Sequence, residues 1–250
     1  MKKSRAATRT IDILELIANE PNGLSLSEIS VALDIPVTSV SDIIKALLDK
    51  EMIEIIDERS KLYGIGVKAY FIGNAFISNT SLIDKAKEPI EMLGKRMNKT
   101  VFLGKEVNEK ITYIYKFEPK DSIIATCSIG SRTNLHCTSL GKTILANDDA
   151  LMERFQGREL IQKTAYTITN HEDLKVEIDK VRVQGYAIDN REQSDHLLCI
   201  GAPIFDSHNE VIAAVSISGL YREDIDIEAE ASIVKETALA ISKKMGYTGL

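Results

Sequence analysis

Residues 25–48 read SLSEISVALDIPVTSVSDIIKALL, and the architecture of the first third of the chain follows from how this stretch folds. Ser25-Leu26-Ser27-Glu28 is a capping box, with the Ser25 hydroxyl accepting from a backbone N–H and Glu28 reaching back. The short helix it opens turns Leu26, Ile29, Ala32 and Leu33 inward. It stops near Asp34-Ile35-Pro36, because proline disfavours helical backbone in the residue before it. Beyond the proline, Val40, Ile43, Ile44, Leu47 and Leu48 fall at i, i+3, i+4, i+7 and i+8, one apolar stripe along a further helix. Two helices joined by so short a connection make a helix-turn-helix.

Upstream, Ile11, Leu14, Ile17 and Ala18 recur at helical spacing until Pro21-Asn22-Gly23. Downstream, Met52–Ile56 reads as a strand, Asp57–Lys61 as a polar turn and Leu62–Ile65 as the returning strand. Three helices and a hairpin form a winged helix-turn-helix, whose third helix enters the major groove. The outer face of that helix carries Thr38, Ser39, Ser41, Asp42, Lys45 and Lys50, short hydroxyls and long cations suited to phosphates and base edges. Asp42 repels phosphate unless it accepts from a cytosine amino group or pairs with Lys45 or Lys61. The same outline also fits a small helical bundle that binds protein.

Composition gives this reading little help. The chain has 250 residues, enough for two domains, and 31 Lys and Arg stand against 37 Asp and Glu, a net charge of −6. Cations are placed rather than spread: Lys2, Lys3, Arg5 and Arg9 form an acid-free basic arm, and Arg59 and Lys61 sit in the wing. The expected DNA contacts are therefore Arg5, Arg9, Thr38, Ser39, Ser41, Asp42, Lys45, Arg59 and Lys61. No apolar run reaches membrane-spanning length, and no apolar segment follows the basic start, so the expectation is a cytoplasmic protein without a membrane partner. Cys127, Cys137 and Cys199 are odd in number and widely spaced, which suits a reducing compartment and no disulfide framework.

Val67–Ser78 reads as a mostly apolar linker helix that would expose Tyr70, Phe71, Ala75 and Phe76 unless a partner covers them. Asn79-Thr80-Ser81 then caps a longer helix with Ile83, Ala86, Ile90, Leu93 and Met97 in a near-heptad stripe. The expected division is 1–66 for the DNA-binding domain, 67–80 for the linker helix and 81–250 for the rest. In that remainder the period becomes two over Val101–Lys105, Ile111–Tyr115 and Ser122–Cys127. Helices over Ser139–Ala146 and Asp173–Gln184 follow, then strands over Tyr186–Asn190, Leu198–Phe205 and Val211–Ser218, and a final helix over Ile227–Lys244. This is an α+β domain with a mainly antiparallel sheet.

Within the last strand Ser216 and Ser218 leave the same face. A buried hydroxyl without a partner costs about 1–3 kcal/mol, so the pair is satisfied by backbone or water, or it donates to a small oxygen-rich ligand. Asp189 at a strand end, Cys199 in an apolar strand and the polar loop Ser131–Lys142 leading into a helix favour the ligand, since helix N-termini attract carboxylates. Cys137 with His136, or Cys199 with Asp189, raises a hydrolase with an N-terminal interaction module as a rival. Yet GxSxG, HExxH, the P-loop and a GxGxxG after a strand are all missing, and adjacent His136 and Cys137 cannot face each other in an extended segment. A metal- or thiol-based sensor drawing on Cys137, Cys199, His136, His171, His196 or His208 lacks ligand spacing. No catalytic residue, metal site or cofactor is expected.

Arg9–Leu16, Gly23–Ile29, Ile35–Val40 and the wing ending Tyr63-Gly64-Ile65-Gly66 together resemble the IclR-type transcription regulators. The resemblance implies a GAF-like effector-binding domain over nearly all of residues 80–245, and an operator-binding regulator, expected to be a repressor. It implies dimers through the N-terminal domain and linker, often tetramers through the C-terminal domain. Carried over by position, it implies an organic-acid effector site of Ser139, Leu140, Asp189, Cys199, Ser216 and Ser218, with Ala125 in the wall. The chain departs from the family pattern at Val37, usually lysine, and at Ser41 and Asp42, usually basic or histidine, so its recognition helix is less cationic. It departs again at His196, usually glycine and expected to face solvent, and at Gly201, usually alanine.

Overall fold

A computed structural model describes residues 4–79, 81–120 and 127–249. Its contacts divide the chain into two compact units, Met1–Asn79 and Thr80–Leu250.

The first unit contains α1 (Arg5–Ala18), α2 (Leu26–Leu33), α3 (Val37–Asp49), β1 (Ile53–Asp57), β2 (Leu62–Ile65) and α4 (Val67–Asn79). The capping box forms: the Ser25 hydroxyl accepts from Glu28 N, and Glu28 accepts from the Ser25 backbone at 2.8 Å. Asp34 ends α2 in the left-handed region at φ 50°, and the Ser30 hydroxyl donates to Ile35 O at 2.6 Å, which fixes the short turn before Pro36. Ile13, Ile17, Ile29, Val40, Ile44, Leu47, Ile53 and Tyr63 form the core, joining one stripe from each helix to the hairpin. Strands β1 and β2 pair antiparallel, and Leu24 bridges to Tyr63. Helix α4 belongs to this unit and leaves Tyr70, Phe71 and Ile72 exposed, whereas the side chains of Ala75 and Phe76 lie outside the described residues.

The second unit begins with α5 (Ser81–Met97), β3 (Thr100–Val107) and β4 (Lys110–Phe117). It continues through β5 (Arg132–Asn134), α6 (Ser139–Asn147), α7 (Asp149–Phe155), α8 (His171–Gln184), β6 (Ala187–Asn190), β7 (Leu197–Phe205), β8 (Val211–Leu220) and α9 (Ile227–Lys244). Six strands form one antiparallel sheet in the order β5-β4-β3-β8-β7-β6. Both faces are covered, because alternate residues of each strand serve different layers. On one face Leu103, Ile200, Ala202, Val215 and Ile217 pack with Ile90 and Leu93 of α5 and Val234 and Ile241 of α9. On the other, Phe102, Tyr113 and Ala214 pack with Leu140 and Ile144 of α6, Leu151 of α7 and Ile178 of α8.

Three expectations change. The loop expected over Ser131–Lys142 contains the edge strand β5, and its residues 135–138 are buried. Helix α7 has no counterpart among the expected elements: at seven residues, capped by Asp148, it is too short for its period to show. Helix α8 starts at His171 rather than Asp173, because the Asn170 side chain caps it. Of the strand expected over Ser122–Cys127, only Cys127 is described, and it carries no regular structure.

Candidate DNA-reading face and effector cavity

Helix α3 turns Val40, Ile44 and Leu47 into the core, which leaves Thr38, Asp42 and Lys45 exposed and Ser39 and Ser41 half-buried. Asp42 approaches Lys45 at 3.9 Å, one of the two pairings expected for it. Both side chains are largely exposed, so water screens the pair and Lys45 stays free to turn to a phosphate. Arg5 is exposed and Arg9 half-buried on α1. Arg59 and Lys61 are exposed in the wing, where Asp57 accepts from Arg59 N at 2.8 Å and from the Ser60 hydroxyl at 3.0 Å. Val37 is absent from the expected contacts, yet it is 49% exposed in the first turn of α3, where base edges are read.

In the second unit a cavity of about 60 Å³ opens between the sheet and the start of α6. Six of the seven expected effector residues line it: Ser139 and Leu140 on α6, Asp189 on β6, Cys199 on β7, and Ser216 and Ser218 on β8. The register explains the convergence. Asp189 pairs with Cys199 and Cys199 with Ser218, so the three side chains form one row across adjacent strands. Ser216 lies one step along the same face, opposite Gly201 and Phe102. Ala125 lies outside the described residues, and His196 is exposed and does not line the cavity.

The wall also includes Phe102, Tyr113, Thr138, Gln193 and Leu197. Phe102 and Tyr113 stand with ring centroids 4.9 Å apart. The sequence marks both only as strand residues, although the period-two pattern puts Phe102 on the opposite face from Val101 and Leu103. Gln193 offers no pattern at all. Its place comes from the loop after β6, where Asp189 accepts from Glu192 N at 2.8 Å and Gln193 N at 3.2 Å. Thr164 and Thr167 donate to Arg191 O and Glu192 O at 2.6 and 2.7 Å, and the Arg191 guanidinium lies 4.0 and 3.9 Å from the Tyr166 and Tyr221 ring centres.

Among the described residues, some polar groups of the cavity have partners and others do not. Cys199 donates to the Ser218 hydroxyl at 3.3 Å, and Cys137 beside the cavity donates to Gln193 Oε1 at 3.1 Å. The hydroxyls of Ser139 and Ser216 bond no described residue, although both residues are buried. Helix α6 brings its own dipole: Thr138 caps it by accepting from Gly141 N at 3.1 Å, and Ser139 and Leu140 of its first turn line the cavity. The helix sits tightly because Gly201 of β7 lies beneath it, where a Cβ would meet Ser139 backbone at 3.0–3.1 Å.

Behind the cavity, Lys142 is 1% exposed and donates to Glu192 at 2.5 Å and to Glu177 at 3.0 Å. Burial works to lower the Lys142 pKa, but the two carboxylates outweigh it and hold the ammonium raised. Burial raises the Glu192 pKa from its ordinary value against the opposing pull of Lys142. Burial, reinforced by the Glu192 charge, pushes Asp189 up to about 7.

Two of the thiols, Cys137 and Cys199, are held in the protonated form. Burial pushes Cys137 up to about 12 and raises Cys199 further, with Asp189 adding to both. The His136 ring meets Ile161 O at 3.1 Å rather than Cys137. Among the described residues no group of His, Cys, Asp and Glu is placed to hold a metal ion, and no helix is long and apolar enough to cross a membrane.

A winged helix-turn-helix joined to a ligand-sized cavity in an α+β domain defines a transcription regulator rather than an enzyme. Residues 6–54 match the IclR helix-turn-helix domain, and residues 74–243 match the bacterial transcriptional regulator IclR C-terminal domain. The chain belongs to the IclR family of transcription regulators. It is 33% identical to the Thermotoga maritima IclR, whose crystal structure superposes with a TM-score of 0.78 over 96% of this chain and 98% of that one. The HTH-type transcriptional repressor AllR of Escherichia coli is 28% identical, covering 98% of this chain and 92% of that protein. An IclR homolog from Microbacterium hydrocarbonoxydans, crystallised with 4-hydroxybenzoate, shares the fold at 17% identity, with a TM-score of 0.84 over 96% of this chain and 98% of that one.

Proposed function

We propose that this regulator is a repressor whose operator affinity is set by a small carboxylate or hydroxy acid held in the cavity between α6 and the sheet. The observation that carries the reading is the convergence of Ser139, Leu140, Asp189, Cys199, Ser216 and Ser218 on that cavity. A carboxylate there would meet the amides that open α6 and the hydroxyls of Ser139 and Ser216. A hydroxyl or carbonyl on the same ligand would meet Ser218 or Asp189. The volume limits the guest to about four to six water-sized groups, the scale of a two- or three-carbon acid. Repression is supported by the name of the AllR relative, and an acidic ligand by the 4-hydroxybenzoate bound to the Microbacterium homolog.

On the DNA side, α3 reads the major groove, with Arg5, Arg9, Thr38, Ser39, Ser41, Asp42, Lys45, Arg59 and Lys61 as the contacts to bases and phosphates. Paired half-sites require a two-fold protein, and the exposed Tyr70, Phe71 and Ile72 of α4 give a second copy an apolar surface, in a dimer or a tetramer. The working division is 1–66, 67–80 and 81–250, and the protein acts in the cytoplasm. The test is selection of bound genomic fragments, followed by Arg9→Ala, Ser41→Ala and Lys45→Ala on the fragment selected. Each is expected to weaken binding without altering the folded spectrum, and the two cation losses each to reduce the salt slope by about one. Unchanged affinity in all three would overturn the docking.

A further inference from the structure

The cavity holds hydroxyls, a phenol, an amide, thiols and one carboxyl, but among its described lining residues there is no Lys, Arg or His. Lys142, behind the cavity, is paired with Glu177 and Glu192. Asp189 is 2% exposed, and one of its oxygens already accepts two backbone N–H groups. Its other oxygen makes no hydrogen bond to a described residue, and Asp189 lines the cavity, so that oxygen is the one offered to a guest. An anionic guest would place a second carboxylate beside this one with only the half-charge of the α6 N-terminus to offset it. Two like charges in such a site do not both ionise.

We infer that the cavity takes its acid together with one proton, carried on Asp189, which then donates a hydrogen bond to the guest. This rests on the small-acid reading of the cavity and adds to it a selection rule. Lys142 and the two backbone N–H groups favour a charge on Asp189, but burial and Glu192 outweigh them. Glu192 from the following loop disfavours a charge on Asp189, and the Lys142 ammonium of α6 is shared between Glu192 and Glu177 of α8. Tyr113 of β4, Cys137 before α6 and Cys199 of β7 have their pKa values raised, so they stay neutral and compensate nothing. With Asp189 at about 7 in the free protein, the site is charged and repels an anion above that pH, and is primed below it.

Titration calorimetry of the full chain with lactate and pyruvate, in two buffers of different ionisation enthalpy, reads the proton directly. The expected result is uptake of close to one proton per acid near pH 8.5, fading near pH 6, with affinity about thirtyfold weaker at the higher pH. Lactamide, the uncharged counterpart of lactate, is expected not to weaken as the pH rises. Asp189→Asn keeps the backbone acceptor and is expected to bind lactate with a pH-independent affinity. If that variant does not fold, the proton count of the wild type decides alone. Equal affinity at both pH values with no proton uptake would overturn the proton coupling while the small-acid reading stands. Failure of a panel of two- to four-carbon hydroxy and keto acids to bind at either pH would overturn the small-acid reading, and the coupling with it.

Discussion

Replacing Lys142 with methionine is expected to destabilise the second unit by about 3–5 kcal/mol, a large loss for a single substitution. Methionine fits the space, so the loss is electrostatic. Lys142 is the cation between Glu177 and Glu192, and one Glu192 oxygen is already buried without a partner. Without the ammonium, Glu192 keeps a buried charge near Asp189 or takes up a proton. Its pKa is already raised by burial and rises further once Lys142 no longer opposes this. A carboxylate whose folded pKa lies above its unfolded value binds more protons when folded, so stability falls as the pH rises between the two values. The loss in the variant is therefore largest at neutral and alkaline pH and shrinks on acidification. Urea unfolding of both proteins across that range measures it. Lys142→Met combined with Glu192→Leu is expected to recover most of the loss, because an ion pair replaced as a whole by apolar groups costs little.

The second large effect is steric. A Cβ on Gly141 would lie 2.2–2.6 Å from the Leu135 backbone, and backbone cannot step aside as a side chain can. Gly141→Ala is expected to cost about 3 kcal/mol, the upper end for overpacking, by prising the first turn of α6 away from the segment before it. That turn carries Thr138, Ser139 and Leu140 at the cavity, so acid binding should fall together with stability. Thermal unfolding and calorimetry on the same preparation test the link. A folded variant with wild-type acid affinity would show that the helix start is not part of the site.

Much of the fold is legible in the sequence because its signals are local. The capping box, the apolar stripes of α2 and α3 and the polar turn at Asp57–Lys61 each settle a few residues without reference to distant ones. The same holds for Ser216 and Ser218, whose shared face follows from the period of a strand. What escapes depends on register between distant strands and on tertiary cover. Arg132–Asn134 is polar and three residues long, and it becomes a strand only because β4 offers an edge. Lys142 looks in sequence like one more polar residue at the start of a helix, since nothing nearby announces that Glu177 and Glu192 will bury it. Gln193 reaches the cavity only because Asp189, Thr164 and Thr167 hold its loop in place. Val37, Ser41 and Asp42 show the opposite case, plain in the sequence and in place on α3.

On the proposed reading, the cavity and the recognition helix belong to one switch. The most direct test is the affinity of the full chain for its selected genomic fragment, with and without lactate or pyruvate, in the wild type and in a Ser216→Ala, Ser218→Ala double variant. A binding acid is expected to shift wild-type operator affinity about fivefold or more, and the double variant to bind the fragment as tightly as wild type but no longer respond. A double variant that still responds at wild-type acid concentrations, or a wild type that binds the acid without any change in operator affinity, would contradict it.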